Sequence, residues 1–285
     1  MAGVEIKPCR FRSRINQLPV ELRIKLGEVS YQKQMFPTQR KELAMQLLRD
    51  YHIEFTELGT GTNRFIVKYD GYALKIALDK EGVADNKQEW VMSPILAPHV
   101  ATAHEISKGG HLLVASYAPA FTSFAEMNGK SSEIRKILSA WGSRYLLGDV
   151  GITSINYANW GILNGRPVCI DYAYIFPVSM DIFECVQCGN KDMRFSGSDF
   201  TKYQCSKCYR TYTDRELRSR ISNEERLRLF SNVLNNGIEM SEPIEEHDAP
   251  VRESTYINPS APDPRDVGDI VAKWWKDQGR SISDL

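Results

Sequence analysis

The sequence predicts an α+β fold with an inserted four-cysteine zinc ribbon, and three observations predict it. Apolar residues in the first 50 positions recur at helical spacing. From Phe55 the period shortens to two, and Asp70-Gly71 and Asn164-Gly165 separate short apolar runs in the manner of β-hairpin turns. Two C-x-x-C pairs, Cys185/Cys188 and Cys205/Cys208, then stand sixteen residues apart (189–204).

Taken in order, Leu18-Pro-Val-Glu-Leu-Arg-Ile-Lys-Leu reads as a helix with proline near its start. Thr38 is expected to cap a second helix, Gln39 to Asp50. Glu57-Leu-Gly-Thr-Gly-Thr forms a glycine turn between strands, and Arg64–Tyr69 pairs with Tyr72–Ala77 across Asp70-Gly71. A helix spans about Val83 to Ser93, and strands follow at Thr102–Ile106 and His111–Tyr117 around Gly109-Gly110. An amphipathic helix runs from Ser131 through Leu147. Asn159-Trp-Gly-Ile-Leu and Pro167-Val-Cys-Ile-Asp171 form a second hairpin. Beyond the cysteines come a helix from Asn223 to Asn235, a Pro-, Glu- and Ser-rich linker over 240–265, and a short helix, Asp266–Gln278, bearing Trp274 and Trp275.

Each cysteine pair supplies two thiolates from one tight turn, which suits tetrahedral zinc in a closed, structural site. The other cysteines, Cys9 and Cys169, are isolated, so a metal centre is expected rather than a disulfide framework. Between Lys191 and Arg220, eight basic residues outnumber four acids and alternate with Phe195, Phe200, Tyr203, Tyr209 and Tyr212. That pattern fits either a solvated flap stapled by metal or a patch for a nucleic-acid backbone. Net charge is zero, from 36 basic and 36 acidic residues, which removes any global attraction for polyanions. No run of about 18 apolar residues exists, so no membrane span is expected. Without an apolar N-terminal leader, the expected compartment is the reducing cytoplasm.

A polar constellation precedes the ribbon. Gly59 and Gly61 occupy the glycine turn, and Lys75 lies inside Ala73-Leu-Lys-Ile-Ala. Glu89 lies on the next helix, and Asn159 opens and Asp171 closes the second hairpin, so both are expected at the same end. Phosphoryl transfer needs backbone and lysine contacts to phosphate, an acid holding the lysine, and oxygen ligands for Mg²⁺. On these motifs, residues 55–180 resemble the protein-kinase-like superfamily, especially the divergent kinase-like proteins of bacteriophages and small-molecule phosphotransferases.

The resemblance implies a two-lobed fold. A helical extension (1–50) would precede an N-lobe-like part (51–118) and a C-lobe-like part (119–181). The ribbon (182–213), a closing helix (214–238) and a linker with the tryptophan helix (239–285) would follow. It implies ATP and Mg²⁺ as cofactors beside zinc. Lys75 would pair with Glu89 and touch phosphate under Gly59 and Gly61, and Asn159 and Asp171 would bind magnesium. Asp171-Tyr-Ala stands where the family has Asp-Phe-Gly, and His111–Ala120 would hold adenine.

The family's catalytic aspartate, five residues before the asparagine, is here Ser154, which cannot accept a proton as a carboxylate does. Asp149 is the candidate substitute. The ribbon also occupies the place of the activation segment. Three functions follow as alternatives. One is an active phosphotransferase of unknown substrate. Another is an inactive scaffold contacting a protein partner through the flap or the tryptophan helix, in host cytoplasm or in a virion if phage-encoded. The third is a nucleic-acid-binding factor acting through the ribbon.

Overall fold

The structure, a computed structural model, describes residues 13–142, 145–177, 184–196, 200–220 and 222. It is mixed α+β with antiparallel sheets. The chain divides into two compact units: the residues up to Lys87 with Ala103–Tyr117, and Gln88–Thr102 with those from Ala118 onward.

The first unit begins with α1 (Arg14–Gln17), α2 (Val20–Val29) and α3 (Pro37–Asp50). Proline begins the third helix, where its missing N–H is no loss. Phe36 therefore precedes the helix, and its N–H donates to Gln39 Oε1 at 2.9 Å. The expected Thr38 cap is thus displaced by two residues.

Strands β1 (Thr56–Thr60), β2 (Arg64–Tyr69), β3 (Tyr72–Ala77), β4 (Ala103–Ile106) and β5 (Leu112–Ser116) form one antiparallel sheet in the order β1-β2-β3-β5-β4. Asp70 and Gly71 both have positive φ, 45° and 79°, as the tight β2–β3 turn requires. Phe65, Leu74, Ile76 and Val114 on the sheet bury against Leu22, Leu26 and Leu48 of the helices. Each such side chain contributes about 1.5–3 kcal/mol by leaving water. Glu105 on β4 accepts the backbone N–H groups of Arg14 (2.7 Å) and Ile15 (3.0 Å), satisfying donors that the start of α1 would otherwise leave open.

Helix α4 (Lys80–Leu96) gives its first half to this unit and its second half to the other. The second unit continues with α5 (Phe124–Gly129), α6 (Ser131–Gly142) and β6 (Tyr145–Leu147). The helix expected through Leu147 ends at Gly142, and Tyr145–Leu147 instead pairs with β9 (Ile175–Pro177). Three consecutive apolar residues suit a buried strand as well as a helix, and pairing with β9 decides between them.

Two 3-10 turns, Gly148–Val150 and Tyr157–Asn159, lead to β7 (Trp160–Leu163), which pairs with β8 (Arg166–Cys169) across Asn164-Gly165. The core gathers Ile134, Leu138, Trp141, Leu147 and Trp160, with the two indoles stacked 6.2 Å apart. Strands β10 (Met193–Phe195), β11 (Lys202–Cys205) and β12 (Thr211–Thr213) form the ribbon sheet, closed by α7 (Asp214–Arg218). Thr213 and Glu216 cap that helix reciprocally. Cys9, the helix from Asn223, the linker and the Trp274–Trp275 helix lie outside the described residues. Among the described residues no helix is long and apolar enough to cross a membrane.

Candidate metal centre and the asparagine–aspartate loop

The two cysteine knuckles repeat one another at an offset of twenty residues. Cys185 N–H donates to Asn190 O at 2.8 Å, and Cys205 N–H to Arg210 O at 2.9 Å. Gly189 N–H closes on Cys185 O at 2.8 Å, and Tyr209 N–H on Cys205 O at 3.0 Å. Gly189 and Tyr209 both take left-handed backbone, φ 68° and 63°. Glycine adopts this freely, whereas tyrosine does so at a cost.

These turns bring all four Sγ atoms within 4.8 Å of one another. Cys185 and Cys208 sulfurs are 3.4 Å apart, and those of Cys188 and Cys205 3.6 Å. Four thiolates at about 2.3 Å from a tetrahedral ion would be about 3.8 Å apart. The four cysteines are therefore close enough to hold a metal ion. Tyr212 Oη lies 3.1 Å from Cys185 Sγ, and Asn190 Nδ2 donates to Cys205 Sγ at 3.5 Å, an outer layer of the kind that orients ligands.

As thiols the four are unequal. Burial pushes Cys185 up, but Tyr212 and backbone N–H groups outweigh it and bring the thiol down to about 6. At Cys188 the Asn190 N–H favours thiolate, yet burial and the neighbouring sulfurs push the group up to about 12. Cys205 is lowered and Cys208 raised in the same alternation. Metal binding at such a set displaces protons from the two raised thiols.

The polar constellation is distributed over both units. Lys75 sits mid-strand in β3 and is only 3% exposed. A cation so buried requires anionic or hydrogen-bonding partners. Gly59 lies in β1 and Gly61 just after it. Among the described residues a Cβ on Gly59 would meet nothing within 4 Å, so no packing seen there demands glycine.

In the second unit, Asn159 and Asp171 converge at the open end of the β7–β8 hairpin. Asn159 O accepts Ile170 N–H at 2.8 Å and Asp171 N–H at 3.4 Å. Asn159 Nδ2 donates to Asp149 O at 2.7 Å. Ser154 is exposed in the intervening loop, next to Ile155 at 85% exposure. Glu89, fully buried on α4, accepts Tyr172 N–H at 3.4 Å through Oε1, and its neighbour Gln88 donates to Ile175 O at 2.8 Å. The second half of α4 thereby holds the segment that follows Asp171.

Sequence reasoning missed the tethers around Asp149. Trp160 Nε1 donates to Val150 O at 3.0 Å, and Leu147 N–H donates to the buried Tyr203 Oη at 2.6 Å. Nothing in the spacing of Leu147 and Tyr203 signals this contact. The buried position of Tyr203 follows from strand alternation with Cys205. No family model matches the chain, and no curated protein matches it.

Proposed function

We propose that this chain is a protein-kinase-like phosphotransferase using Mg²⁺–ATP, braced by a structural zinc ion on Cys185, Cys188, Cys205 and Cys208. The observation that carries the reading is the convergence on Asn159. Its backbone carbonyl receives the Asp171 segment while its side-chain amide holds Asp149. Two residues with oxygen donors suited to a hard divalent cation and a carboxylate residue for general-base work are thus tied together at the open end of one hairpin.

The sheet order β1-β2-β3-β5-β4, with a lysine on its third strand and an acid on the helix after it, supports the same reading. Thiolate softness and sulfur spacing support zinc over a hard cation in the ribbon.

With Mg²⁺–ATP bound, Lys75 would neutralise nucleotide phosphate, and the Asn159 and Asp171 side chains would hold the magnesium. The bound ion would neutralise charge developing on the transferred phosphoryl group. Asp149 accepts the proton of an acceptor hydroxyl as its oxygen bonds to the γ-phosphorus and the bond to ADP breaks. Asp149 is preferred to Ser154 because the Asn159 tether keeps Asp149 beside the proposed magnesium ligands.

The test follows γ-phosphate from labelled ATP, with Mg²⁺, into the chain itself and into a panel of hydroxyl-bearing acceptors. Lys75→Ala and Asp171→Ala should abolish transfer. Asp149→Asn should lower kcat by about 10²–10⁴-fold, the range of a lost general base, while sparing nucleotide binding. Ser154→Ala should behave as wild type. No transfer to any acceptor, or equal rates for wild type and Asp149→Asn, overturns the reading.

A second reading is favoured by Tyr209, which is 71% exposed despite its left-handed backbone. Exposed Lys202, Lys207 and Arg210 lie in the same ribbon. A single-stranded nucleic acid stacking on Tyr209 would use them, with affinity falling steeply as salt rises. Absence of binding at low salt eliminates it.

A further inference from the structure

The geometry points to Tyr203 as a positioning residue that makes the order of the Asp149 loop depend on the metal state of the ribbon. Its kinetic consequence rests on the phosphotransferase reading; the structural coupling does not.

Four consecutive residues, Leu147 to Val150, are each held by a different group. Leu147 N–H is held by Tyr203 Oη. Gly148 lies so close under Tyr174 that an added Cβ would come within 2.5 Å of the Tyr174 Cβ and 2.6 Å of its carbonyl oxygen. Asp149 O is held by Asn159 and Val150 O by Trp160. Tyr174, Asn159 and Trp160 belong to the hairpin and the segment after it. Tyr203 alone of these four comes from the ribbon, and it holds the end of the loop nearest β6.

The tether leads directly to the metal ligands. Tyr203 lies two residues before Cys205 on β11 and pairs across the sheet with Tyr212, whose hydroxyl touches Cys185 Sγ. Leu147 and Tyr203 are 0% and 1% exposed, so in the intact structure the phenol oxygen, and not water, satisfies the Leu147 N–H. Helix α7, at the far end of the ribbon, also neighbours the 3-10 turn that contains Asp149. Ordering the four sulfurs around an ion fixes β11, and β11 fixes the residue two places before Asp149. Tyr203→Phe removes this link while keeping the ring in the ribbon core.

The experiment measures amide hydrogen exchange across residues 145–150, metal content, and steady-state phosphotransfer. It compares wild type, wild type stripped by a chelator, and Tyr203→Phe in the full chain. The expected result is that Tyr203→Phe retains its metal but exchanges the loop amides faster. Stripping wild type should speed loop exchange at least as much, and stripped Tyr203→Phe should match stripped wild type. With the phosphotransferase reading in force, Tyr203→Phe lowers kcat about tenfold, as expected from one lost buried hydrogen bond, with KM for ATP unchanged.

Unchanged loop exchange in both stripped wild type and Tyr203→Phe overturns the proposal. So does faster exchange with unaltered kcat in an active enzyme, because Tyr203 would then be only a core residue. If wild type transfers no phosphate at all, the phosphotransferase reading falls, and loop exchange in the stripped wild type still decides the coupling. Should Tyr203→Phe lose its fold, the stripped wild type decides alone.

Discussion

The five-stranded sheet and the cysteine ribbon are both antiparallel β structure, yet different physics holds each together. Among the described residues, the sheet and its helices share fourteen buried apolar residues, from Ile15 to Val114. The ribbon core has seven among the described residues, of which two are the cysteines Cys185 and Cys205 and one, Val91, belongs to α4. A sheet with that much buried side chain folds by the hydrophobic effect, whereas a sheet of three- and four-residue strands needs a staple. The comparison teaches that the same hairpin pattern can rest on a large apolar core in one place and on a small core beside four clustered cysteines in another.

Metal removal should give the largest effect and could break the comparison outright. Structural zinc supplies on the order of 10 kcal/mol of folding free energy in small domains. A chelator, or Cys205→Ser, should therefore unfold residues 184–220 while the five-stranded sheet keeps its exchange protection. Survival of ribbon protection without metal would show that its small core suffices. Phe65→Ala tests the other side. Its side chain is fully buried in the sheet core, and the cavity should cost about 3–5 kcal/mol in chemical denaturation, with metal content unaltered.

The two knuckles offer a finer test. Gly189→Ala forces a side chain into left-handed backbone and should cost about 1–2 kcal/mol, read as weaker metal retention against a competing chelator. Tyr209→Gly relieves the same conformation and should leave metal retention equal or better. The smallest effect concerns pH. Burial holds His104 and His111, both in the sheet unit, below the ordinary imidazole value of about 6.5. The unfolded chain then binds more protons below that pH, so the sheet unit loses stability as pH falls from about 6.5 towards the folded values. The double variant His104→Gln, His111→Gln should show a flatter slope in denaturation midpoints between pH 7.5 and 5.5.

The hairpin turns Asp70-Gly71 and Asn164-Gly165, the strand runs beside them and the clustering of the four cysteines were legible in the chain, because turn conformation and knuckle geometry are settled within a few residues. The convergence of Asn159 with Asp171 was legible for the same reason, since a tight hairpin joins its own two ends. The end of α6 was not legible. Gly142 is followed, after Ser143 and Arg144, by the apolar Tyr145-Leu-Leu, which fits a helix as well as a strand, and only pairing with β9, about thirty residues later, makes it a strand. Glu105 beneath α1 and Tyr203 beneath Leu147 join residues up to 91 and 56 positions apart. Such contacts have no periodicity to read; they exist because packing leaves a buried N–H with one oxygen in reach, and only the assembled tertiary structure decides which oxygen that is.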